Sequence, residues 1–223
     1  MTLEESMYAA IKSLVPDAAL TLFTGDIVDH AVWLANETQN LKDINDAYSR
    51  MSGLTQVYGT AGNHEAAPVN SFPPKAVSNP NSDQWLYNAL SADWSRWIGV
   101  NASAKADNYG AYSSKVPGRS LRVISINTNF YYKENFWMYE PTFEKDPDGQ
   151  LAWLVTELQG SETAGERVYI IGHTPLGSGD AFHDTSNYFN QIVNRYSATI
   201  AGLFFGEFTL RSIYPKPSHP MQL

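Results

Sequence analysis

Three short apolar runs, far apart along the chain, each stop at a glycine followed by a residue able to bind a cation or move a proton. Leu20-Thr21-Leu22-Phe23 leads to Gly25-Asp26, Gln56-Val57-Tyr58-Gly59 to Gly62-Asn63-His64-Glu65, and Val168-Tyr169-Ile170-Ile171 to Gly172-His173. Apolar runs this short, bounded by turn residues, predict buried strands. Between them apolar residues recur at helical spacing: Met7, Ala10, Ile11, Leu14; Leu41, Ile44, Ala47, Tyr48 within about 38–51; Trp85, Leu86, Ala89, Leu90, Trp94 within about 85–98; and Leu151, Leu154, Val155, Leu158. A further helix is predicted around 188–196, and further strands over 121–127, 200–206 and 207–214. Strands alternating with helices predict an α/β fold with a largely parallel sheet, in one domain. The Pro- and Asn-rich stretch 66–82 reads as a loop, and residues 215–223, with three prolines, as a disordered tail.

In an open α/β sheet the C-terminal strand ends converge on one crevice, where ligands bind. Glycine at each tip lets the backbone turn sharply and approach whatever lies there. Asp26 brings an anionic oxygen, Asn63 an amide oxygen and His173 an imidazole nitrogen. Such a mixed set suits Zn²⁺, Mn²⁺ or Fe²⁺ better than Ca²⁺. Composition removes competing classes. The chain has no cysteine, which excludes disulfides and thiolate sites, and a net charge of −8 without a Lys/Arg run argues against a nucleic-acid partner. The longest apolar stretch, 200–205, is far short of a membrane span, so no transmembrane segment is expected. The acidic start Met1-Thr2-Leu3-Glu4-Glu5 does not read as a signal peptide.

Taken together, Gly25-Asp26, Gly62-Asn63-His64-Glu65 and Gly172-His173 resemble the motif set of the calcineurin-like metallophosphoesterases. The run Pro68-Val69-Asn70-Ser71-Phe72-Pro73-Pro74 is similar to that of the acid sphingomyelinases. So are Glu134-Asn135-Phe136-Trp137, Asp148-Gly149-Gln150-Leu151-Ala152-Trp153-Leu154 and Ile192-Val193-Asn194-Arg195-Tyr196. The resemblance runs from about Asp26 to Gly206. It implies a metallophosphoesterase-type β-sandwich flanked by helices, over residues 1–214. It also implies a two-metal phosphodiesterase that cleaves sphingomyelin to ceramide and phosphocholine, or alternatively a nucleotide phosphodiester. Asp26 would bridge two divalent cations, zinc foremost, and Asn63 and His173 would bind the second. Cations ~3.5–4 Å apart would make a nucleophile of water and stabilise the equatorial phosphoryl oxygens.

His30 and His64 match the family's proton donors to the leaving alkoxide, and an imidazole of pKa about 6.5 suits mildly acidic surroundings. Asn70 and Glu134 match positions near the head-group pocket. The aromatic cluster Phe130 to Tyr139 reads chiefly as core packing, with cation–π contact to a quaternary ammonium as the second reading. The family's secreted or lysosomal habit implies an extracellular or lysosome/vacuole-like location, with which Asn36 and Asn101, each opening an N-x-[ST] sequon, agree as glycosylation sites. A phospholipid substrate implies peripheral contact with a membrane surface.

Two family motifs lack a counterpart. The 25 residues before Asp26 contain no histidine where Asp-x-His is expected, and Gly206 runs into Glu207-Phe208-Thr209 where Gly-His-Thr-His is expected. Two cations against one carboxylate would leave about three positive charges uncompensated, at several kcal/mol per buried ion. One cation or none is therefore expected, with Asp180 or His183 as substitute ligands. The first strand of the sheet is expected to be missing, which leaves an apolar edge. The alternative to an active hydrolase is a truncated, catalytically inactive chain that keeps only ligand or membrane-surface binding.

Overall fold

The computed structural model describes residues 3–77, 82–140 and 144–207. Strands β1 (Thr21–Phe23) and β2 (Val57–Gly59) pair in parallel as a small sheet, Thr21 opposite Val57. A four-stranded sheet follows the order β3 (Tyr112–Lys115), β4 (Leu121–Ser125), β5 (Arg167–Gly172), β6 (Ile200–Phe205). Only the β3–β4 pairing is antiparallel. Helices α1 (Leu3–Leu14), α2 (Glu37–Met51), α3 (Gln84–Ile98), α4 (Val100–Tyr109), α5 (Gln150–Thr163) and α6 (His183–Arg195) flank the sheets. The expected mixed α/β, largely parallel architecture is what forms.

The sheets are stitched at their C-terminal ends. The Gly59 carbonyl accepts from the Tyr112 hydroxyl at 2.9 Å and the Ser125 hydroxyl at 3.1 Å, and Thr60 Oγ1 donates to the Ile126 carbonyl at 3.2 Å. A side chain at Gly59 would collide with the Trp94 indole and the Tyr48 hydroxyl. Trp94, Tyr48, Tyr58 and Tyr112 fill the core there, Trp94 and Tyr112 with ring centroids 5.3 Å apart. Helix α2 starts where the Asn36 side chain caps the Gln39 amide at 3.0 Å, and it buries Ile44, Ala47, Tyr48 and Met51. From the same face Asn40 Nδ2 donates to the carbonyls of Glu65 and Ala66, at 3.1 and 3.3 Å, which pins the loop after β2.

Three expectations change. The run ending at Phe23 was predicted buried, yet β1 is only half-buried, whereas its sheet partner β2 is fully buried where α3 and β4 pack on it. The helix predicted at 188–196 begins at His183, since Phe182 supplies extended backbone and lets the turn start earlier. Helix α4 and strand β3 occupy a stretch that carried no periodic signal. The buried residues of α4 are Ala102, Ala106 and Tyr109, two of them too small to stand out, and β3 reads Tyr-Ser-Ser-Lys. Of the strand expected at 207–214 only Glu207 is described, in non-strand backbone past β6; the rest, and the 215–223 tail, lie outside the described residues.

Candidate active site

The ends of β1, β2, β5 and β6 meet. Gly25 (φ +92°) and Gly62 lie back to back, and a Cβ on Gly25 would sit 2.5 Å from the Gly62 nitrogen. A Cβ on Gly62 would sit 2.3 Å from Asp26 Oδ1, so only glycine fits there. Asp26 itself lies in the left-handed region, φ +63°, which most residues other than glycine avoid but Asp tolerates. Gly206 packs with equal intimacy on Thr24, and its amide and that of Glu207 donate to the His173 carbonyl at 3.0 and 3.1 Å.

His173 is the centre of the constellation. Its Nδ1 lies 2.7 Å from the Thr24 carbonyl, which can only accept, so Nδ1 carries the proton and Nε2 faces inward. Around Nε2 stand Asn63 Oδ1 at 2.8 Å, Asp26 Oδ2 at 3.3 Å and Glu207 Oε2 at 3.5 Å. All three are acceptor oxygens, so a neutral ring would set its lone pair against theirs. Such a point needs a positive charge, supplied either by a second proton on His173 or by a cation among the donors. Burial disfavours the charged ring, but the Asp26 carboxylate overrides it and raises the His173 pKa to about 9. Burial likewise acts against the Asp26 anion, and the His173 contact outweighs it and lowers the Asp26 pKa.

Among the described residues no group of three or more His, Cys, Asp or Glu side chains is arranged to hold a metal ion. The donor set at His173 is instead a mixed one, with the Asn63 amide at its heart. One divalent cation fits it: a carboxylate, an amide oxygen and an imidazole whose far nitrogen is already tied to backbone, as metal-binding histidines are.

The remaining predicted residues fall around this point. His64 is buried; its amide donates to Asp26 Oδ1 at 3.2 Å and its Nδ1 lies 3.2 Å from the Asp29 carbonyl. His30 is exposed, and its ring meets that of His64 edge to face, centroids 4.6 Å apart. Asn70, also left-handed at φ +63°, receives the Asn63 amide on Oδ1 at 2.8 Å and donates to Glu134 Oε2 at 3.1 Å. Asp180 precedes α6 and His183 opens it; His183 is almost fully exposed and lies 3.8 Å from Asp184. Asn36 and Asn101 are both exposed, the first as the α2 cap. The aromatic cluster divides: Phe130 and Tyr131 are buried in the core, whereas Phe136 and Tyr139 are exposed and stack on each other at 6.3 Å.

Two site carboxylates escaped the sequence reading. Glu207 arrives through the close packing of Gly206, and it also accepts from Thr174 Oγ1 at 3.1 Å. Glu65 is buried behind Asp26: Oε1 accepts from the Ile27 amide at 2.8 Å, and Oε2 has no hydrogen-bond partner. Burial first, then the Asp26 charge, raises the Glu65 pKa to about 7. The Glu that closes Gly62-Asn63-His64-Glu65 was the available signal, since a carboxylate next to a ligand motif rarely stands idle. A cavity of about 500 Å³ opens on the other side of Asp26, between α1 and α2, but neither Asn63 nor His173 lines it.

Comparison with known proteins gives the family. Residues 4–206 match the family described as Calcineurin-like phosphoesterase. The chain is 38% identical over 190 residues to sphingomyelin phosphodiesterase of Bos taurus, covering 84% of this chain and 30% of that protein. It is 35% identical over 237 aligned positions to sphingomyelin phosphodiesterase B of Dictyostelium discoideum, covering all of this chain and 36% of the relative. A cyclic GMP-AMP phosphodiesterase of Mus musculus is 33% identical, over 90% of this chain and 46% of its own length. The chain thus spans about a third of the sphingomyelin phosphodiesterases it matches. A dimetal phosphatase from Danio rerio shares the fold with a TM-score of 0.53 at 15% identity, over 91% of this chain and 69% of that one. The chain belongs to the calcineurin-like phosphoesterases and is similar, within them, to sphingomyelin phosphodiesterases.

Proposed function

We infer that this chain hydrolyses a phosphodiester of the sphingomyelin type with the help of one divalent cation, zinc foremost, held by Asp26, Asn63 and His173. The carrying observation is the convergence of three acceptor oxygens on His173 Nε2, with Asn63 Oδ1 at 2.8 Å. When bound, the cation supplies positive charge for the phosphoryl oxygens as negative charge builds on them. Asp26 supplies negative charge to face the cation, and the buried His173 closes the site on its inner side. His30, exposed and with its ring against that of His64, would give a proton to the leaving alkoxide. Nδ1 of His64 is occupied by the Asp29 carbonyl, which leaves Nε2 as its exchanging atom.

Trp33, Leu34, Phe136 and Tyr139, which follow His30 and Glu134 in sequence, are exposed apolar side chains of the kind that a lipid surface would take. Kinship with sphingomyelin phosphodiesterases favours that substrate, and with it an extracellular or lysosomal location in which the exposed Asn36 and Asn101 sequons carry glycans.

The test is phosphocholine release from sphingomyelin vesicles with added Zn²⁺ or Mn²⁺, alongside metal analysis of the protein. The expected result is about one cation per chain and turnover that His173→Ala reduces at least ~100-fold, in line with the loss of a metal donor. A chain that binds no cation and turns over no faster than His173→Ala is an inactive relative, and the reading falls. Hydrolysis of a cyclic dinucleotide but not of sphingomyelin would move the substrate and leave the chemistry in place.

A further inference from the structure

Asn63 can serve the cation only with its oxygen, and an amide has no intrinsic reason to point one end inward. The structure shows what decides it. Asn63 Nδ2 donates to Asn70 Oδ1 at 2.8 Å, and Asn70 Nδ2 donates to Glu134 Oε2 at 3.1 Å. A carboxylate only accepts, so Glu134 demands the nitrogen end of Asn70. That choice turns the Asn70 oxygen toward Asn63, demands the nitrogen of Asn63 in turn, and leaves Asn63 Oδ1 facing His173 Nε2 at 2.8 Å. Reversal at any link would set acceptor against acceptor or donor against donor. The backbone is committed to the same arrangement. Asn70 sits at φ +63°, and its amide donates to the Asn63 carbonyl at 3.1 Å, so the two residues are tied at both main chain and side chain.

We propose that Asn70 and Glu134 form a positioning relay that fixes the polarity of the Asn63 amide, presenting its oxygen to a cation at His173. This rests on the one-cation reading above and assigns Asn70 a task other than contact with a substrate head group, since both ends of its amide are engaged by other side chains of the protein. Glu134, joined to Asn63 only through Asn70, thereby acts on the cation without touching it. Groups that orient metal ligands in this way typically change affinity by about 10–100-fold when removed.

The test uses Co²⁺ titration calorimetry on the whole chain with Asn70→Gly, chosen because glycine accepts the left-handed backbone at no strain. Asn70→Gly is expected to weaken Co²⁺ binding by about 10–100-fold. In an Asn63→Asp background, where the ligand presents oxygen at either end, the same change is expected to cost less than about threefold, because no polarity remains to be set. Equal losses in both backgrounds would mark Asn70 as merely structural. Unchanged Co²⁺ affinity with a raised KM for sphingomyelin would mark it as a head-group contact. Either result overturns the relay.

A parent chain that binds no Co²⁺ would sink the one-cation reading instead, and the relay is then judged in the metal-free protein by NMR. The Asn63 side-chain amide protons should exchange slowly in the parent chain and at least tenfold faster in both Asn70→Gly and Glu134→Ala. Fast exchange in the parent chain, or no acceleration in either variant, would overturn the relay without reference to any metal.

Discussion

The four strands that deliver the site are of two kinds. β2 and β5 are mostly buried, β2 as an edge strand covered by α3 and β4 and β5 between two strand neighbours, whereas β1 and β6 are half-exposed edge strands. The buried pair carries Asn63 and His173, each held by further hydrogen bonds: Asn63 by Asn70, His173 by the Thr24 carbonyl and, through its amide, by Thr128 Oγ1 at 3.1 Å. The half-exposed pair carries Asp26 and Glu207, the charged members, whose side chains are 34% and 29% exposed. Asn63 and His173 therefore sit where desolvation is nearly complete, and Asp26 and Glu207 sit where water still screens them; Glu65, buried behind Asp26, is the exception, and burial raises its pKa to about 7. The division follows from cost, since a carboxylate is far more expensive to bury unpaired than an amide or a neutral imidazole.

The comparison breaks most easily through stability. Ile170 on β5 is fully buried, and Ile170→Ala is expected to cost about 2–5 kcal/mol. Leu203 on β6 is 39% exposed, and Leu203→Ala should cost under about 1.5 kcal/mol. Urea denaturation of both variants checks this, and equal losses would show that β6 is no true edge.

A pH series sharpens it next. With metal removed, His173 is opposed by burial but held up by Asp26 to about 9, against roughly 6.5 in the unfolded chain. Its folded pKa is the higher, so its stabilisation is complete below about pH 6.5 and is lost as pH climbs through 9, roughly 3 kcal/mol in all. Glu65, raised to about 7 by burial and Asp26, pulls in the same direction at lower pH. Melting in chelator should thus fall steadily from pH 6 to 9.5, and a flat profile would mean that His173 does not share a proton with Asp26.

The smallest effect separates the two carboxylates from the two neutral donors. Glu207→Gln, at an edge strand's end and 3.5 Å from Nε2, should reduce cation affinity by less than about tenfold. A loss as large as that of His173→Ala would make Glu207 a ligand and overturn the ranking of edge against interior.

Much of this was legible beforehand for a definite reason. Strong apolar runs such as Val168-Tyr169-Ile170-Ile171 and the spacing of Ile44, Ala47 and Tyr48 encode their elements locally, and glycine at each strand end signals close backbone approach. Helix α4 was not legible because it packs through Ala102 and Ala106 against α3, and small residues leave no periodic mark. Glu207 was not legible because its place depends on Gly206 meeting Thr24, two residues 182 positions apart. Nor could Asn70 be told from a substrate contact, since its partners, Asn63 and Glu134, lie on opposite sides of it in the sequence.

By itself the sequence determined the alternation of strands and helices and the chemical kinds of donor at three strand tips, because periodicity, turn residues and side-chain chemistry are local properties. Only the tertiary structure decided that Asp26, Asn63 and His173 share one point, which end of the Asn63 amide faces it and which carboxylates stand beside it. Those outcomes depend on distances between segments that only packing brings together, and on hydrogen-bond polarity that must agree along a whole chain of partners at once.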